Sequence, residues 1–120
     1  MGQVRAQRKR PGRFPFSGEL RATELDSGRD VWAETTDLSR GGCYVLTRQP
    51  FPQGALLRIE IRKQGARFLT DARVAYAFKS EGMGLSFLNV PAGQLPTLEN
   101  WLSILEREQP AEAPLEGTGR

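Results

Sequence analysis

Histidine is absent from the 120 residues, and cysteine occurs once, as Cys43. A histidine-based triad and a zinc site built from the usual nitrogen and sulfur ligands are thereby excluded, and no intrachain disulfide can form. A lone cysteine in an apolar stretch is most often a small buried side chain, and its solitude is compatible with a reducing cytoplasm. No apolar run reaches the length of a membrane span, and the charged N-terminus is not followed by the apolar segment of a signal peptide. The chain therefore reads as soluble and cytoplasmic, without membrane insertion. Carboxylates are scattered with no evident partner, which leaves an enzymatic reading without a site.

What is present fits one domain with a single core. Hydrophobic residues at 38% and charged residues at 26% are near globular averages. The net charge of +3 is local in origin: Arg5, Arg8, Lys9, Arg10 and Arg13 meet no acidic residue in the first thirteen positions, leaving 12 of the 17 basic side chains against all 14 acidic ones. A positive segment on a slightly negative body suggests a compact anionic partner rather than a long polyanion lying across a whole face. Residues 1–13 lack hydrophobic periodicity and end in the turn-prone Pro11-Gly12, so they are read as a flexible basic arm.

From Phe14 the pattern has period two. Phe16, Gly18, Leu20 and Ala22 alternate with polar residues, and Asp26-Ser27-Gly28 supplies a turn. A second strand is predicted over 30–38, with Val31, Ala33 and Thr35 on one face and Asp37 at its end. Gly41-Gly42 permits a positive φ before a third strand, in which Cys43, Val45 and Thr47 alternate with Tyr44, Leu46 and Arg48. Two prolines at 50 and 52 make a corner. Leu57, Ile59 and Ile61 mark a fourth strand; Phe68, Thr70, Ala72, Val74, Tyr76 and Phe78 a long fifth; Met83, Leu85 and Phe87 a sixth. Six strands at hairpin-like spacing favour a small antiparallel barrel, a sandwich being the other arrangement this pattern allows.

After Pro91 the period becomes helical: Leu95, Leu98, Trp101, Leu102 and Leu105 form one stripe. An amphipathic helix is predicted over 94–107, packing on the barrel. The domain proper is then 14–107, and residues 108–120, rich in glutamate, proline and glycine, are read as a disordered tail.

Two segments carry chemistry in combination. Asp37-Leu38-Ser39-Arg40-Gly41-Gly42 lies between the second and third strands, and Arg8-Lys9-Arg10-Pro11-Gly12-Arg13 precedes the first. Alone, either is ordinary, since Asp and Ser commonly end strands by bonding to their own backbone and basic runs are commonly solvated. Together with Ala72-Arg73-Val74 and Gly82-Met83-Gly84-Leu85-Ser86-Phe87, on this order of strands, the chain resembles the PilZ family over roughly residues 8–105. The family's first motif is Arg-x-x-x-Arg; here that spacing is held by Lys9 and Arg13.

The resemblance implies an all-β fold, a six-stranded antiparallel split barrel with a C-terminal helix, that binds cyclic di-GMP, needs no cofactor and has no catalytic activity. It implies that the arm folds over the ligand through Arg8, Lys9, Arg10 and Arg13, while Asp37, Ser39 and Gly42 hold the other side. The residue chemistry agrees. Guanidinium groups match phosphate oxygens and chelate the guanine O6/N7 edge, a carboxylate accepts from guanine N–H donors, a hydroxyl donates or accepts beside it, and glycine lets backbone approach. Tyr76 is a further candidate at the edge of the site. Lysine offers a point charge where arginine offers a planar fork. Two readings follow: a cyclic di-GMP receptor that switches a partner protein, or an interaction module that no longer binds nucleotide. A nucleic-acid polymer is disfavoured by the mixed charge of the strands.

Overall fold

The computed structural model describes residues 12–108. Six strands follow one another: β1 (Phe14–Glu24), β2 (Asp30–Leu38), β3 (Gly42–Leu46), β4 (Leu56–Lys63), β5 (Ala66–Phe78) and β6 (Gly82–Leu88). A short 3-10 turn, Ala92–Gln94, leads into helix α1 (Leu95–Glu108). Every strand pairing is antiparallel, and β1 pairs with both β2 and β4, so the sheet closes in the order β1-β2-β3-β6-β5-β4. Closure answers the sandwich alternative, because a barrel leaves no long unpaired edge. Most of the arm, up to residue 11, and the tail from residue 109 lie outside the described residues, and with them Arg8, Lys9 and Arg10.

Inward positions of the alternating strands supply the core: Leu20, Leu57, Ile59, Ile61, Phe68 and Val74 are all buried, as is Cys43. Helix α1 closes the barrel with Leu98, Trp101 and Leu102. Trp101 sits 5.3 Å from the Phe16 ring and 6.3 Å from Phe68, an aromatic cluster that joins α1 to β1 and β5. Gln94 Oε1 accepts the Leu69 N–H at 2.9 Å, fixing the start of the helix on β5. The helix begins and ends one residue later than the periodicity predicts.

The strand register slips in three places, each a one-residue bulge, and burial loses its alternation at two of them, on β2 and β5. On β1 the register slips between Pro15 and Gly18, and buried Thr35 repairs the ladder there: its hydroxyl accepts the Gly18 N–H at 3.0 Å and donates to the Gly18 carbonyl at 3.2 Å. On β2 an extra residue lies between Thr35 and Asp37, and on β5 between Val74 and Tyr76. A bulge turns the following side chain to the opposite face. Leu38, not Asp37, is the next buried residue after Thr35, and Ala77 packs against the core where alternation places Tyr76 and Phe78.

Candidate functional site

β2 and β3 are joined by a turn held by one side chain. Ser39 Oγ accepts the N–H groups of Gly41 and Gly42, at 3.2 and 3.1 Å, and lies 3.2 Å from the Gly42 carbonyl, to which the Ser39 N–H donates at 2.9 Å. This is the local serine chemistry that ends strands. The Gly41 carbonyl accepts the Phe87 N–H at 2.8 Å, stitching the turn to β6.

Neither Gly41 nor Gly42 has a positive φ, contrary to the expectation from the glycine pair. Gly42 is required for another reason: a Cβ there would fall on the Leu85 carbonyl oxygen of the neighbouring strand. Gly41 has open space around it. The same device recurs on β6, where a Cβ at Gly84 would strike the Tyr76 ring and one at Gly82 the Val45 carbonyl and the Tyr44 hydroxyl. The two tyrosines lie over this glycine bed with their rings stacked, centroids 6.1 Å apart.

Asp37 is fixed from the backbone: its Oδ1 accepts the Tyr44 N–H at 2.9 Å. Its Oδ2 faces Arg13 Nε at 3.5 Å, with the two side chains 26% and 18% exposed respectively. Arg13 stands just before β1, and the Phe14–Leu38 and Pro15–Asp37 pairings bring that end of β1 beside the end of β2. Arg13, Ser39 and Gly42 line one cleft of about 360 Å³ together with Ala75, Tyr76, Gly84 and Ser86. Thus the structure brings Arg13, Asp37, Ser39 and Gly42 together, while Arg8, Lys9 and Arg10 fall outside the described residues.

Tyr76, Gly84 and Ser86 were not part of the motif pair. The signal for Gly84 and Ser86 is the Gly-x-Gly-x-Ser spacing on the outward face of β6, a strand interior where glycine weakens packing unless something approaches closely. Burial lifts the Tyr44 hydroxyl above its ordinary range, helped by the Glu81, Tyr76 and Asp37 groups nearby. Burial likewise pushes the Cys43 thiol up to about 12, with the Asp37 carboxylate adding to the effect and Arg13 opposing it. Cys43 is thus an inert core residue and not a nucleophile.

Two wider clefts, of about 860 and 580 Å³, open beside Lys63. They mix Glu19 and Glu34 with Arg62, Arg67 and the apolar Phe16 and Trp101, and bring none of the motif residues together. Among the described residues no group of histidine, cysteine and carboxylate side chains is placed to hold a metal ion, and no helix is long and apolar enough to cross a membrane.

Comparison with known proteins gives a consistent picture. The model of the PilZ domain family matches residues 4–103. No curated protein matches the chain. Among solved structures, the inhibitor of motility MotI/DgrA of Bacillus subtilis superposes with a TM-score of 0.67 at 20% identity, over 84% of this chain and 51% of that one. The PilZ domain of YcgR from Escherichia coli, solved with c-di-GMP, gives 0.65 at 23% identity over 89% and 98%. The PilZ domain of CeSA from a cellulose-synthesizing bacterium gives 0.63 at 22% over 78% and 97%. The chain spans about half the length of MotI/DgrA and nearly all of the YcgR domain. At these identities the structural likeness shows the fold.

Proposed function

Because the chain belongs to the PilZ domain family, we propose that it is a receptor for cyclic di-GMP and that the ligand sits in the Arg13 cleft. PilZ domains are binding domains and not enzymes, and no catalytic role is proposed for any residue of this chain. The observation that carries the reading is the meeting of Arg13 with Asp37 beside the Ser39 turn, since these residues come from two distant motifs and stand 3.5 Å apart.

Each residue has a role its chemistry suits. Arg13 supplies a planar fork for phosphate oxygens or for the O6/N7 edge of guanine, and can stack on a base. Asp37, with one oxygen held by the Tyr44 amide, offers the other, shared with Arg13, to the guanine N–H donors. The Ser39 turn and Gly42 present backbone at close range, and Tyr76 offers a ring at the edge of the cleft. The arm residues Arg8, Lys9 and Arg10 would complete the site from the other side. Ligand binding that orders the arm against the barrel would create or cover a surface for a protein partner in the cytoplasm, which makes the domain a switch.

A specific observation favours a second reading. Lys9 stands at the first basic position, where the family has arginine, and a lysine cannot chelate or stack on guanine as arginine does. A domain that had lost the nucleotide would still serve as an interaction module. Calorimetry separates the two, with cyclic di-GMP as titrant and GMP and a short oligonucleotide as controls. Heat with the cyclic dinucleotide alone supports the receptor; no heat from a folded sample supports the module; heat with the oligonucleotide overturns both.

A further inference from the structure

A further cleft, of about 400 Å³, lies between the motif turn and helix α1. Its walls are Gly12 and Phe14 where β1 begins, Arg40 and Gly41 of the turn, and Leu102 and Glu106 of the helix. The charges around it are nearly all accounted for. Arg40 pairs with Glu99, Arg13 beside Gly12 faces Asp37, and Arg107 donates to the exposed Ser103 Oγ at 3.1 Å. Glu106 remains. It is exposed, shares a flank of α1 with Glu99 seven residues before it, and takes part in no ion pair among the described residues. The cleft thus combines an apolar wall, Phe14 and Leu102, with one unbalanced carboxylate. A long basic side chain suits both, with its methylenes along the wall and its head on the carboxylate.

The chain itself delivers such a side chain. The described residues begin at Gly12, in the wall of the cleft, and the segment before it carries Arg5, Arg8, Lys9 and Arg10 with no acidic residue. Gly12 has a φ of +78°, the conformation that the third position of a type II turn requires, and a proline such as Pro11 suits the second. A turn of that kind reverses the chain and holds its first and fourth residues, here Arg10 and Arg13, within about 7 Å of one another. It would return Arg10 to the cleft. The C-terminal segment, which leaves the helix after Glu108, carries Glu112 and Glu116 and has the wrong sign for Glu106.

We propose that without nucleotide the basic arm docks in this cleft, with the Arg10 guanidinium on the Glu106 carboxylate and its stem along Phe14 and Leu102. The arm then has two seats, one against α1 and one over the ligand, and nucleotide would draw it from the first to the second. That exchange of seats rests on the receptor reading; the docking does not.

The test is nitrogen-15 relaxation of the full chain without nucleotide, at two protein concentrations about tenfold apart. The amides of Lys9 and Arg10 should show order parameters above about 0.6, the value below which backbone is flexible, at both concentrations. Glu106→Arg and Arg10→Glu should each drop them below it, because each sets like charges together, and the double exchange should restore them, the signature of a directly coupled pair. Thermal melts establish that each variant is folded. Glu106 lies outside the ligand cleft, so Glu106→Gln should raise cyclic di-GMP affinity about threefold or more by removing the competing seat. Calorimetry without heat for any variant would sink the receptor reading and with it the exchange of seats, while the relaxation data still decide the docking. An arm mobile in the wild type, order that survives Glu106→Arg, or a double exchange that fails to restore it would each overturn the docking. Order present only at the higher concentration would seat the arm of a second copy and overturn it too, and an unchanged affinity in Glu106→Gln would overturn the exchange of seats.

Discussion

Asp37 and Tyr76 occupy one row across four strands, Asp37–Tyr44–Gly84–Tyr76, and each follows directly after a one-residue bulge. Without the bulges both would point into the barrel with Thr35 and Val74. With them, both reach the outer face, Tyr76 lining the candidate cleft and Asp37 standing behind its Arg13 wall. Bulges recur beside functional sites because they re-aim a side chain without disturbing the rest of the strand.

Asp37 is both a structural acceptor and the proposed guanine acceptor, and two substitutions separate these roles. Asp37→Asn keeps an oxygen for the Tyr44 amide, so the melting temperature should hold, while cyclic di-GMP affinity falls about tenfold or more, the worth of one good base contact. Asp37→Ala should lose the same affinity and also about 1 kcal/mol of stability, from the orphaned amide. Calorimetry and thermal melts read the two effects.

Lys9 tests the other half of the site. If it takes the first basic position, Lys9→Arg adds a planar fork worth roughly 1–3 kcal/mol, and affinity rises about tenfold or more. Arg13→Ala should abolish binding. If Arg10 fills the role instead, Arg10→Ala abolishes binding and Lys9→Arg does little. A Lys9→Arg variant with unchanged affinity, together with a harmless Arg10→Ala, would remove the ligand from this arm.

The two glycines of the motif should behave oppositely in stability. Gly42→Ala drives a methyl into the Leu85 carbonyl of β6, and overpacking against backbone should cost at least about 2 kcal/mol, lowering the melting temperature by roughly ten degrees. Gly41→Ala meets open space and should change stability by no more than about 0.5 kcal/mol. Equal effects would show that Gly42 is not held by strand packing.

Cys43 makes stability depend on alkaline pH. Its thiol is raised from 9.0 to about 12, so the folded chain keeps a proton that the unfolded chain releases. The stabilisation is complete below the unfolded value and is lost progressively as pH rises through the folded one. By about pH 11 the loss should be roughly 3 kcal/mol. Melts across this range should fall more steeply for the wild type than for Cys43→Ala, and Cys43 should resist a thiol reagent while folded. A slope identical in both proteins would contradict the burial of an ionisable thiol.

The barrel was readable because its strands bury alternate residues; the runs ending in Ala22, Ile61 and Phe87 declare themselves. Both motifs were readable as sequence, and so was the nearness of Asp37 to Ser39. The outward turn of Asp37 and Tyr76 was not, because alternation extrapolated past Thr35 and Val74 points both inward. The trace it leaves is a slip from spacing two to spacing three, Thr35 to Leu38 and Val74 to Ala77, which looks like noise until the partner strands are known. The role of Gly42 was misread for a similar reason. A glycine needed for turn geometry and one needed for close strand approach look identical along the chain, and only the position of Leu85 separates them.

The hydrogen bond from the Tyr44 amide to Asp37 bears on which base the cleft would admit. A carboxylate has no proton to offer, and this one is tethered by a peptide N–H that leaves it little freedom to swing aside. Guanine would meet the other oxygen, the one beside Arg13, with two donors; adenine would meet it with the lone pair of its ring nitrogen, leaving two acceptors face to face. A site that strands a polar group discriminates far more sharply than one that merely lacks a contact. In the proposed receptor, the distinction between a guanine and an adenine cyclic dinucleotide thus rests on a main-chain atom, which among substitutions at Tyr44 only proline removes.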